Sequence, residues 1–476
     1  DLRLLTPEES WELLEKRAFG NESCPEELLD VGKEIAQNCK GLPLVADLIA
    51  GVIARKEKKL WLEVQNNLNS FVFSSEVDVM KVIKLSYDHL SDHLKPLFLY
   101  LASFRKDTKI EITSLKAYWR AERLVEQTEK KSVEEVMEVY LDNLISSSLV
   151  ILLNEIGDEP TCHLHDLVHD FCLKKAREER FFDRISSSAS FSSSYLMPRI
   201  LSIIYYKGNF GLNDFVLFGS KKKRHSGKHL YSLMITGDEL DDNLSDICHL
   251  RDLRLLRVLH LSPSFIKVKD SLLNEICMLN HLRYLYIGTK VKSLPSSFSN
   301  LWNLETLVVE NEGSTLVLLP RIWDLVKLRV LSMSACSFFD VDANEPILIA
   351  EDSKLENLRM LETLVLSYSK DTEDIFKRFP NLQWIVFVLK ESWDYSTERY
   401  WFPKLEFLTE LDRLKVGFKS SNTHESGPSI ATNQPWDFHF PSYLKELVLC
   451  DFPLTSDSLS TIGRLPNLEE LVLVRT

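Results

Sequence analysis

The sequence predicts a multidomain fold in which an α-helical subdomain and a winged-helix subdomain precede an α/β solenoid of leucine-rich repeats. Leucine makes up about one residue in six, whereas glycine contributes only 15 of 476 residues, which is well below its usual share. Apolar residues at helical spacing dominate the first 180 residues. A short leucine motif recurs from about residue 196 onward. A chain of this length can form two to four domains, each with its own core.

Residues 1–76 are predicted to form the helical subdomain. Leu28, Val31 and Ile35 recur at helical spacing, and Gly41 follows them where a left-handed residue often ends a helix. Pro43 then stands at the expected start of a second helix, because its fixed φ suits a first helical turn. The residues after Pro43 are apolar on nearly every side, so we expect this second helix to be buried.

Residues 78–180 are predicted to form the winged-helix subdomain. Several apolar helical segments come first, and the strand-like run 149–153 follows them. A turn at 154–160, with Gly, Asp and Pro, leads to an expected return strand at 161–165. We expect Asp166 to cap the next helix, 167–176, by accepting hydrogen bonds from its first amides.

Residues 184–195 contain two runs of three serines and are predicted to be a linker. Residues 196–476 then carry the repeats, whose signature is Leu-x-x-Leu-x-hydrophobic. Successive copies are 21 to 33 residues apart, mostly within the spacing of leucine-rich repeats, and the longer gaps require insertions or a missed strand. The copies begin at Leu256, Leu282, Leu304, Leu328, Leu361, Leu382, Leu411, Leu444 and Leu468.

The x positions of the repeat strands are predicted to face a concave surface, while the leucines fill the space between neighbouring repeats. Tyr284, Tyr286 and Trp384 occupy such positions. Aromatic side chains there are candidate anchors for a ligand. They are equally compatible with core or ordinary surface, and the sequence leaves these alternatives open.

Composition excludes several classes of protein. The formal net charge of −13 argues against a dedicated nucleic-acid binder, because there is no excess of cations to neutralise phosphates. Eight cysteines are spread widely, which favours reduced thiols in the cytosol over a disulfide scaffold. No uncharged apolar run reaches the ~18 residues that a transmembrane helix needs. The first residues resemble neither an initiator segment nor a signal peptide, so we expect the chain to be the interior of a longer protein.

Phosphate-binding loops are absent from the sequence. Gly-x-x-x-x-Gly-Lys-Ser/Thr does not occur, and the nearest string, between Gly219 and Lys228, has the wrong spacing. Gly-x-Gly-x-x-Gly does not occur either. We therefore expect this chain not to hydrolyse nucleotides on its own and not to be an enzyme.

A cluster of possible metal ligands lies between residues 162 and 172. His165 and His169 are four residues apart, as in the His-Glu-x-x-His motif of zinc hydrolases, with Asp166 in place of the glutamate. Asp is a shorter base, and no third ligand at a suitable distance is evident. The pattern of a strand end, a cap and an amphipathic helix is the favoured interpretation.

A basic run occupies residues 221–224. It could serve as a nuclear signal or contact an anionic surface. A solvated loop is the favoured interpretation, since the whole chain is acidic.

Four landmarks in order resemble plant intracellular immune receptors of the nucleotide-binding, leucine-rich-repeat family. They are the segment 2–14, Gly41-Leu-Pro-Leu44, the apolar segment 94–104, and Leu164-His165-Asp166, which is similar to a Met-His-Asp motif. Leu164 replaces the usual Met, and Arg105-Lys106 replaces a Pro-Glu pair. With the repeats behind them, the landmarks resemble the coiled-coil class, and within it the late-blight-resistance type of the nightshade family.

The resemblance implies a nucleotide switch with ADP or ATP as cofactor. In that family the proline matching Pro43 lies near the adenine, and the histidine matching His165 contacts the β-phosphate of ADP. A strand-to-helix junction at His165 makes this plausible, because free amides and the helix dipole favour an anion there. The Walker lysine would belong to an upstream nucleotide-binding domain. ADP would keep the receptor closed, and exchange for ATP would release the winged helix.

The resemblance also implies partners and a location. We expect the repeats to recognise a pathogen effector or a guarded host protein, and the activated receptor to form self-oligomers, with a helper receptor as a further partner. The expected location is the cytoplasm, with membrane association or nuclear entry on activation. The alternative is a leucine-rich-repeat binding scaffold without nucleotide switching, which the missing phosphate-binding loop favours.

Overall fold

The computed structural model divides the chain into two compact units. Unit 1 comprises residues 1–184 and 198–202, and unit 2 comprises residues 185–197 and 203–476. The residues whose structure is described are 3–54, 57–69, 76–154, 159–186, 199–205, 229–237, 244–312, 315–318, 320–338, 353–367, 374–390, 393–394, 399–419 and 436–475. The predicted linker lies mostly outside these ranges, and its first residues, 184–186, end a strand instead. The basic run 221–224 lies outside them entirely.

Unit 1 is built mainly from helices that surround a core of large apolar side chains, including Trp61, Phe98 and Trp119. None of the described helices is long and apolar enough to cross a membrane. The helices are α1 (Pro7–Phe19), α2 (Glu26–Asn38), α3 (Pro43–Ile53), α4 (Lys58–Asn69), α5 (Glu76–Asp88), α6 (Leu94–Tyr100), α7 (Ile112–Glu122), α8 (Val133–Ser146) and α9 (Asp166–Glu178), with a 3₁₀ turn at Leu101–Ser103 after α6.

Capping boxes begin two of these helices. The Thr6 hydroxyl accepts a hydrogen bond from the Glu9 amide, and the Glu9 carboxylate accepts one from the Thr6 amide. Ser132 and Glu135 form the same pair at the start of α8. Each box satisfies two backbone donors that a helix N-terminus leaves open.

The turn before α3 matches the prediction. Gly41 adopts φ +72°, which glycine tolerates best, and Pro43 is the first residue of α3. A Cβ on Gly41 would lie 2.4 Å from the Leu5 carbonyl oxygen, and the Leu5 amide donates to the Gly41 carbonyl at 2.9 Å. The position therefore requires glycine for two reasons, its positive φ and the close approach of the Leu5 backbone. As expected, α3 is buried along most of its length.

A three-stranded antiparallel sheet accompanies the helices, in the order β1 (Ile110–Glu111), β3 (Thr161–His163), β2 (Ile151–Leu153). The observed strands β2 and β3 are shorter than the predicted ones, 149–153 and 161–165. Residues 149–150 are buried but precede β2, and the return strand ends at His163, because the following residues turn into α9. The prediction that Asp166 caps α9 is wrong: His165 is the N-cap, and Asp166 is the first helical residue.

Unit 2 is a parallel sheet of the repeat strands. Strands β4 (Phe182–Ser186) and β5 (Ile200–Tyr205) contain residues of both units. The strands then run in chain order along the sheet, with short helical returns between several of them. They are β6 (Ser232–Gly237), β7 (Val258–Leu261), β9 (Tyr284–Thr289), β10 (Thr306–Asn311), β12 (Val330–Ser337), β13 (Met360–Leu366), β14 (Trp384–Lys390), β17 (Arg413–Lys419), β18 (Glu446–Cys450) and β19 (Glu470–Val474).

Minor elements complete unit 2. Two short strands pair beside longer ones, β8 (Lys267–Val268) with β9 and β11 (Leu316–Val317) with β12. The strands β15 (Trp393–Asp394) and β16 (Arg399–Tyr400) pair antiparallel with each other, and the sequence pattern did not predict them. The helical segments are Leu244–Ile247, Asp270–Ile276 and Ser456–Ile462, and 3₁₀ turns occupy Ser296–Asn300, Pro320–Asp324 and Ile375–Arg378.

The same backbone hydrogen bond joins each pair of neighbouring repeats. The residue after the first leucine of each motif donates its amide to the carbonyl of its counterpart in the preceding repeat, for example Arg283 to Arg257 at 2.8 Å. The motif leucines lie beneath this ladder and are fully buried in most repeats, as Leu259, Leu285 and Leu307 are, whereas Leu471 of the last repeat is 42% exposed. The residues of the ladder are Tyr231, Arg257, Arg283, Glu305, Arg329, Arg359, Gln383, Asp412, Lys445 and Glu469.

This ladder corrects two parts of the predicted repeat pattern. The copy placed at Leu361 begins at Leu358 instead, because Leu361 pairs with Leu331, the fourth residue of its own motif. A bulge between β12 and β13, with Thr363 at φ +57°, obscured this register. A further copy begins at Leu230, ahead of the predicted ones, and forms β6.

Asparagines add a second ladder to the repeats. Asn303, Asn357, Asn381 and Asn467 each stand immediately before the first leucine of a motif. Each side-chain amide donates to a backbone carbonyl of the preceding repeat, at 2.8 to 2.9 Å. These bonds satisfy carbonyls at turns that the sheet itself leaves unpaired.

Candidate functional site

His165 lies at the junction between β3 and α9 and is exposed. Its backbone is extended, with φ −61° and ψ 145°, and its Nδ1 accepts a hydrogen bond from the Leu167 amide at 3.2 Å. A ring nitrogen that accepts carries no proton in the neutral imidazole, so Nε2 carries it. The side chain thus presents an N–H donor beside a helix N-terminus, where an anion is favoured.

Asp166 changes the electrostatics expected for this junction. Its exposed carboxylate lies in the first turn of α9, where it interacts favourably with the helix dipole itself. The His165 ring already occupies the Leu167 amide. One amide of this turn is therefore occupied, and the Nε2–H group of His165 is a further donor that the junction offers.

Pro43 is the exposed first residue of α3. The preceding residue, Leu42, provides no side-chain hydrogen bond to the helix N-terminus, although its carbonyl accepts from the Ala46 amide at 3.1 Å. The rigid apolar ring of Pro43 therefore sits at an uncapped helix start. A flat apolar group could pack on such a ring, while the rest of α3 holds it in place.

Both predicted site residues belong to unit 1. Pro43 begins α3 and His165 precedes α9, and each of these helices packs on α5. The two helices therefore pack on one shared helix, although Pro43 and His165 are more than 120 residues apart in the chain.

The other possible metal ligands between 162 and 172 are structural. His169 is 3% exposed, and its Nε2 lies 3.0 Å from the Phe104 carbonyl oxygen, to which the Arg184 guanidinium donates at 2.6 Å. Burial lowers the pKa of His169 and raises the pKa of Cys162 to about 12. Among the described residues, no group of three or more His, Cys, Asp or Glu side chains is arranged to hold a metal ion.

The loop that departs from the family pattern is an exposed turn. Arg105 and Lys106 precede Asp107, which adopts φ +60°. Lys106 forms an ion pair with Asp170 of α9, at 2.7 Å. The turn is therefore tied to the helix that follows His165.

The predicted aromatic anchors of unit 2 have different environments. Tyr284 is only 4% exposed and belongs to the core. The Tyr286 hydroxyl donates to the Glu310 carboxylate, and Trp384 carries the Arg413 guanidinium 4.4 Å above its ring. Tyr286 and Trp384 are partly exposed. Of the three predicted anchors, these two could contact a ligand.

His260 was not singled out from the sequence. It lies on β7 between two buried leucines, its ring contacts that of Tyr286 edge-on with centroids 4.4 Å apart, and burial lowers its pKa to about 3. Its place at an x position, next in the sheet to the x position of Tyr286, is the signal that could have identified it.

Comparison with protein families identifies two regions. A leucine-rich repeat region matches residues 229–475, slightly more than half of the chain. A disease resistance protein winged helix domain matches residues 104–172, which include β1–β3, α7, α8 and His165. The predicted fold class is confirmed.

Individual relatives match almost the whole chain. The putative late blight resistance protein homolog R1B-16 of Solanum demissum is 33% identical over 488 residues, which cover 99% of this chain and 35% of the relative. The late blight resistance protein R1-A of the same species is 32% identical over 492 residues, covering 100% of this chain and 36% of that protein. Among solved structures, a Listeria monocytogenes internalin matches 52% of this chain and 75% of its own, with 19% identity and a TM-score of 0.29.

The chain thus spans about a third of the length of these curated relatives. Their similarity runs through the helical, winged-helix and repeat regions alike, in agreement with the two family matches. The chain therefore belongs to the leucine-rich-repeat disease resistance protein family of plants.

Proposed function

We propose that this chain forms the switching and recognition part of a plant defence receptor that is not an enzyme in its own right. ADP, held together with an upstream nucleotide-binding domain, keeps the receptor closed. Exchange for ATP opens it, and the opened receptor self-oligomerises to signal. The receptor acts in the cytoplasm, with membrane association or nuclear entry on activation.

The observation that carries the proposal is the geometry of His165. Its Nε2–H donor is exposed beside the start of α9, while Nδ1 is held by the Leu167 amide. A fixed donor of this kind suits a phosphate oxygen of a nucleotide diphosphate. Because His165 precedes α9 directly, loss of that contact frees the helix, and this provides a path from nucleotide to conformation.

Pro43 supports the same proposal from a second helix. An exposed, rigid ring at the start of a buried helix offers an apolar surface to an adenine. In this arrangement Pro43 positions the base and His165 contacts the β-phosphate, with the remaining phosphate contacts supplied by the upstream domain.

The repeats supply the recognition function in this proposal. Their regular sheet carries partly exposed side chains such as Tyr286 and Trp384 on a rigid frame, which suits protein recognition. The relatives are named for resistance to late blight. The partner would be a pathogen effector or a guarded host protein, and a helper receptor could relay the signal.

The test is substitution of His165 in a complete receptor carrying this sequence. We expect His165→Ala and Asp166→Val to cause cell death in leaves without a pathogen, at protein levels equal to the unmodified receptor. The purified His165→Ala receptor should retain at least tenfold less ADP. His281→Ala, an exposed histidine in the repeats, is the matched control and should remain silent.

Two results would reject this proposal. Both variants could stay silent at normal protein levels, or the unmodified receptor could be purified without any bound nucleotide. The second result would favour the alternative, a leucine-rich-repeat scaffold that binds its partner without nucleotide switching.

A further inference from the structure

A stack of β-turns lies where the repeat strands of unit 2 begin. In each turn the amide of the first motif leucine donates to the carbonyl three residues earlier, for example Leu304 to Leu301 at 2.8 Å. Because neighbouring strands lie about 4.8 Å apart, the two central residues of successive turns form two rows along this edge of the sheet. The turns are 253–256, 279–282, 301–304, 325–328, 355–358, 379–382, 408–411 and 441–444.

Large apolar side chains are exposed on neighbouring turns of this edge. Trp302 is 55% exposed and Val326 is 54% exposed. The two are adjacent, because both occupy the second position of their turns and β10 pairs in register with β12. Met278, 62% exposed, immediately precedes the turn on the other side of Trp302. Single exposed apolar residues are ordinary, but a contiguous group of them marks an interaction site. The later turns carry Glu356, Pro380, Thr409 and Ser442 at the second position.

Cations stand at both ends of this apolar group. Arg254 lies in the first turn and Lys327 in the fourth, and both are exposed. Neither forms an ion pair with a carboxylate in the described part of the chain. The first four turns contain no Asp or Glu. Asp252 and Asp324 come just before two of them, but Asp252 is only partly exposed and Asp324 pairs with Arg321 at 3.3 Å. This edge is therefore locally positive on a chain whose net charge is −13.

Hydrogen bonds between the turns hold the group in place. The Asn303 amide donates to the Asn280 carbonyl at 2.9 Å, and its Oδ1 accepts from Lys327 at 2.7 Å. The Asn357 amide donates to the Val326 carbonyl at 2.8 Å. The turns on either side of Trp302 are thus already ordered, and a surface that is ordered before binding loses little conformational entropy when it binds.

We propose that this turn-edge patch binds an acidic segment of a partner protein. A large apolar side chain of the segment packs on Trp302, and its carboxylates lie beside Arg254 and Lys327, since opposite charges favour such an arrangement. Tryptophan and arginine are the residues that most often dominate protein recognition. The patch consists of Arg254, Leu255, Met278, Trp302, Val326 and Lys327.

The size and charge of the patch define the partner. A fully buried tryptophan contributes about 150–250 Å², so a few such side chains cover less than the ~800 Å² per partner of a standard protein interface. A short segment fits this area better than a whole domain does. Recognition of an anionic membrane typically uses a cluster of about four to eight Lys or Arg, and the patch has two. The proposal deepens the recognition role proposed above and rests on it only in expecting a protein partner.

Selection of short random peptides displayed on phage, with the whole 476-residue chain as bait, tests the patch. We expect the recovered peptides to be enriched in Asp and Glu around a large apolar residue. They should bind Trp302→Ala at least about tenfold more weakly, and Arg254→Glu about fivefold more weakly, with a similar loss for the unmodified chain in high salt.

Two variants outside the patch are matched controls. Tyr443→Ala removes an aromatic side chain that is 59% exposed on the last turn of the same stack. Arg464→Glu reverses an exposed charge elsewhere in unit 2. Both should bind the peptides as the unmodified chain does. Chemical denaturation of Trp302→Ala should match that of the unmodified chain, so that lost binding is not lost folding.

Several results would overturn the proposal. They are recovery of no peptides, peptides without acidic enrichment, or peptides that bind Trp302→Ala unchanged. Trp302-dependent binding to vesicles of phosphatidylcholine and phosphatidylserine would assign the patch to a membrane instead. Self-association of the chain that Trp302→Ala abolishes in sedimentation velocity would assign it to a second copy. No nucleotide enters these measurements, so their failure leaves the His165 switch standing, and a silent His165→Ala receptor leaves the patch standing.

Discussion

Units 1 and 2 are stabilised by contacts of different kinds. In unit 1 the contacts between helices join particular residues, as when the Trp61 indole donates to the Ile53 carbonyl at 3.1 Å. In unit 2 one contact recurs from repeat to repeat, as the backbone ladder and the asparagine ladder illustrate. A side chain in unit 1 has no equivalent elsewhere in that unit, whereas a side chain in unit 2 has counterparts at the same position of other repeats.

The two kinds of contact differ in how far the effect of one substitution on stability extends. Repeats contact mainly their neighbours, so the stability of a solenoid is roughly a sum of local terms. A region of single, interlocking contacts tends to unfold as one cooperative unit. The proposed nucleotide switch needs a cooperative unit, since a local event must move a whole domain. The proposed recognition surface benefits from stability that is a sum of local terms, since one altered repeat leaves the others in place.

The largest expected effect is truncation of a core side chain in each unit. Trp119→Ala, at a fully buried position of α7, should lower the free energy of unfolding of unit 1 by about 3–5 kcal/mol, and Leu331→Ala in β12 should cost unit 2 about 2–5 kcal/mol. Hydrogen exchange should show the loss throughout unit 1 for Trp119→Ala, but mainly in 306–366 for Leu331→Ala.

The matched control for the first substitution is Trp302→Ala, because Trp302 is 55% exposed. Its effect should stay within about 0.5 kcal/mol. Uniform loss of protection across all repeats in Leu331→Ala would contradict the distinction between the two units.

The second effect is a pH dependence that both units share. Burial lowers the pKa of His169 in unit 1 and lowers that of His260 in unit 2 to about 3. Because the histidine pKa is lower in the folded chain, the unfolded chain binds more protons as the pH falls. The histidine therefore costs no stability above pH ~6.5, and the free energy of unfolding decreases as the pH drops below that value. For His260 the decrease in the free energy of unfolding at pH 5 is at most about 2 kcal/mol.

Chemical denaturation of the chain at several pH values between 7.5 and 5 measures this slope. His260→Gln should flatten it for unit 2 and leave unit 1 unchanged, and His169→Gln should do the reverse. His281→Gln, at an exposed position, is the control. A slope that neither His260→Gln nor His169→Gln alters would show that other groups are responsible.

The smallest effect tests the repetition itself. Asn357→Ala removes the bond to the Val326 carbonyl and should cost about 1 kcal/mol. Asn381→Ala and Asn467→Ala should cost nearly the same, because each makes the same bond to the preceding repeat. Asn274→Ala, on an exposed helical position, is the control. Costs that differ several-fold among the three would mean that the repeats are not equivalent.

The sequence predicted the architecture well because two strong periodicities govern it. Helical spacing marked the helices of unit 1, and Gly41 and Pro43 marked the turn before α3. The leucine motif marked most strands of unit 2, since its leucines are buried in nearly all of the repeats. The placement of His165 at a strand-to-helix junction followed from the same local reasoning.

The parts that the sequence could not predict depend on tertiary contacts. Asp166 has the better intrinsic capping propensity, but the extended backbone at His165 starts the helix one residue earlier. The register at Leu358 was hidden by a bulge, and the copy at Leu230 lies ahead of the clear ones. Whether Tyr284 or Tyr286 is exposed depends on how neighbouring strands pack, which periodicity does not reveal. The contact of Gly51 with Ser147 joins residues almost 100 positions apart, so no local pattern marks it.

Register in the parallel sheet is independent of the length of the returns. Corresponding residues are 22 positions apart between β9 and β10, from Tyr284 to Thr306, and 33 apart between β17 and β18, from Arg413 to Glu446. Both pairs nevertheless align the same motif positions. Insertions and deletions between strands can therefore accumulate in a lineage without rebuilding the frame. Returns of different length can thus be carried on one unchanged strand register.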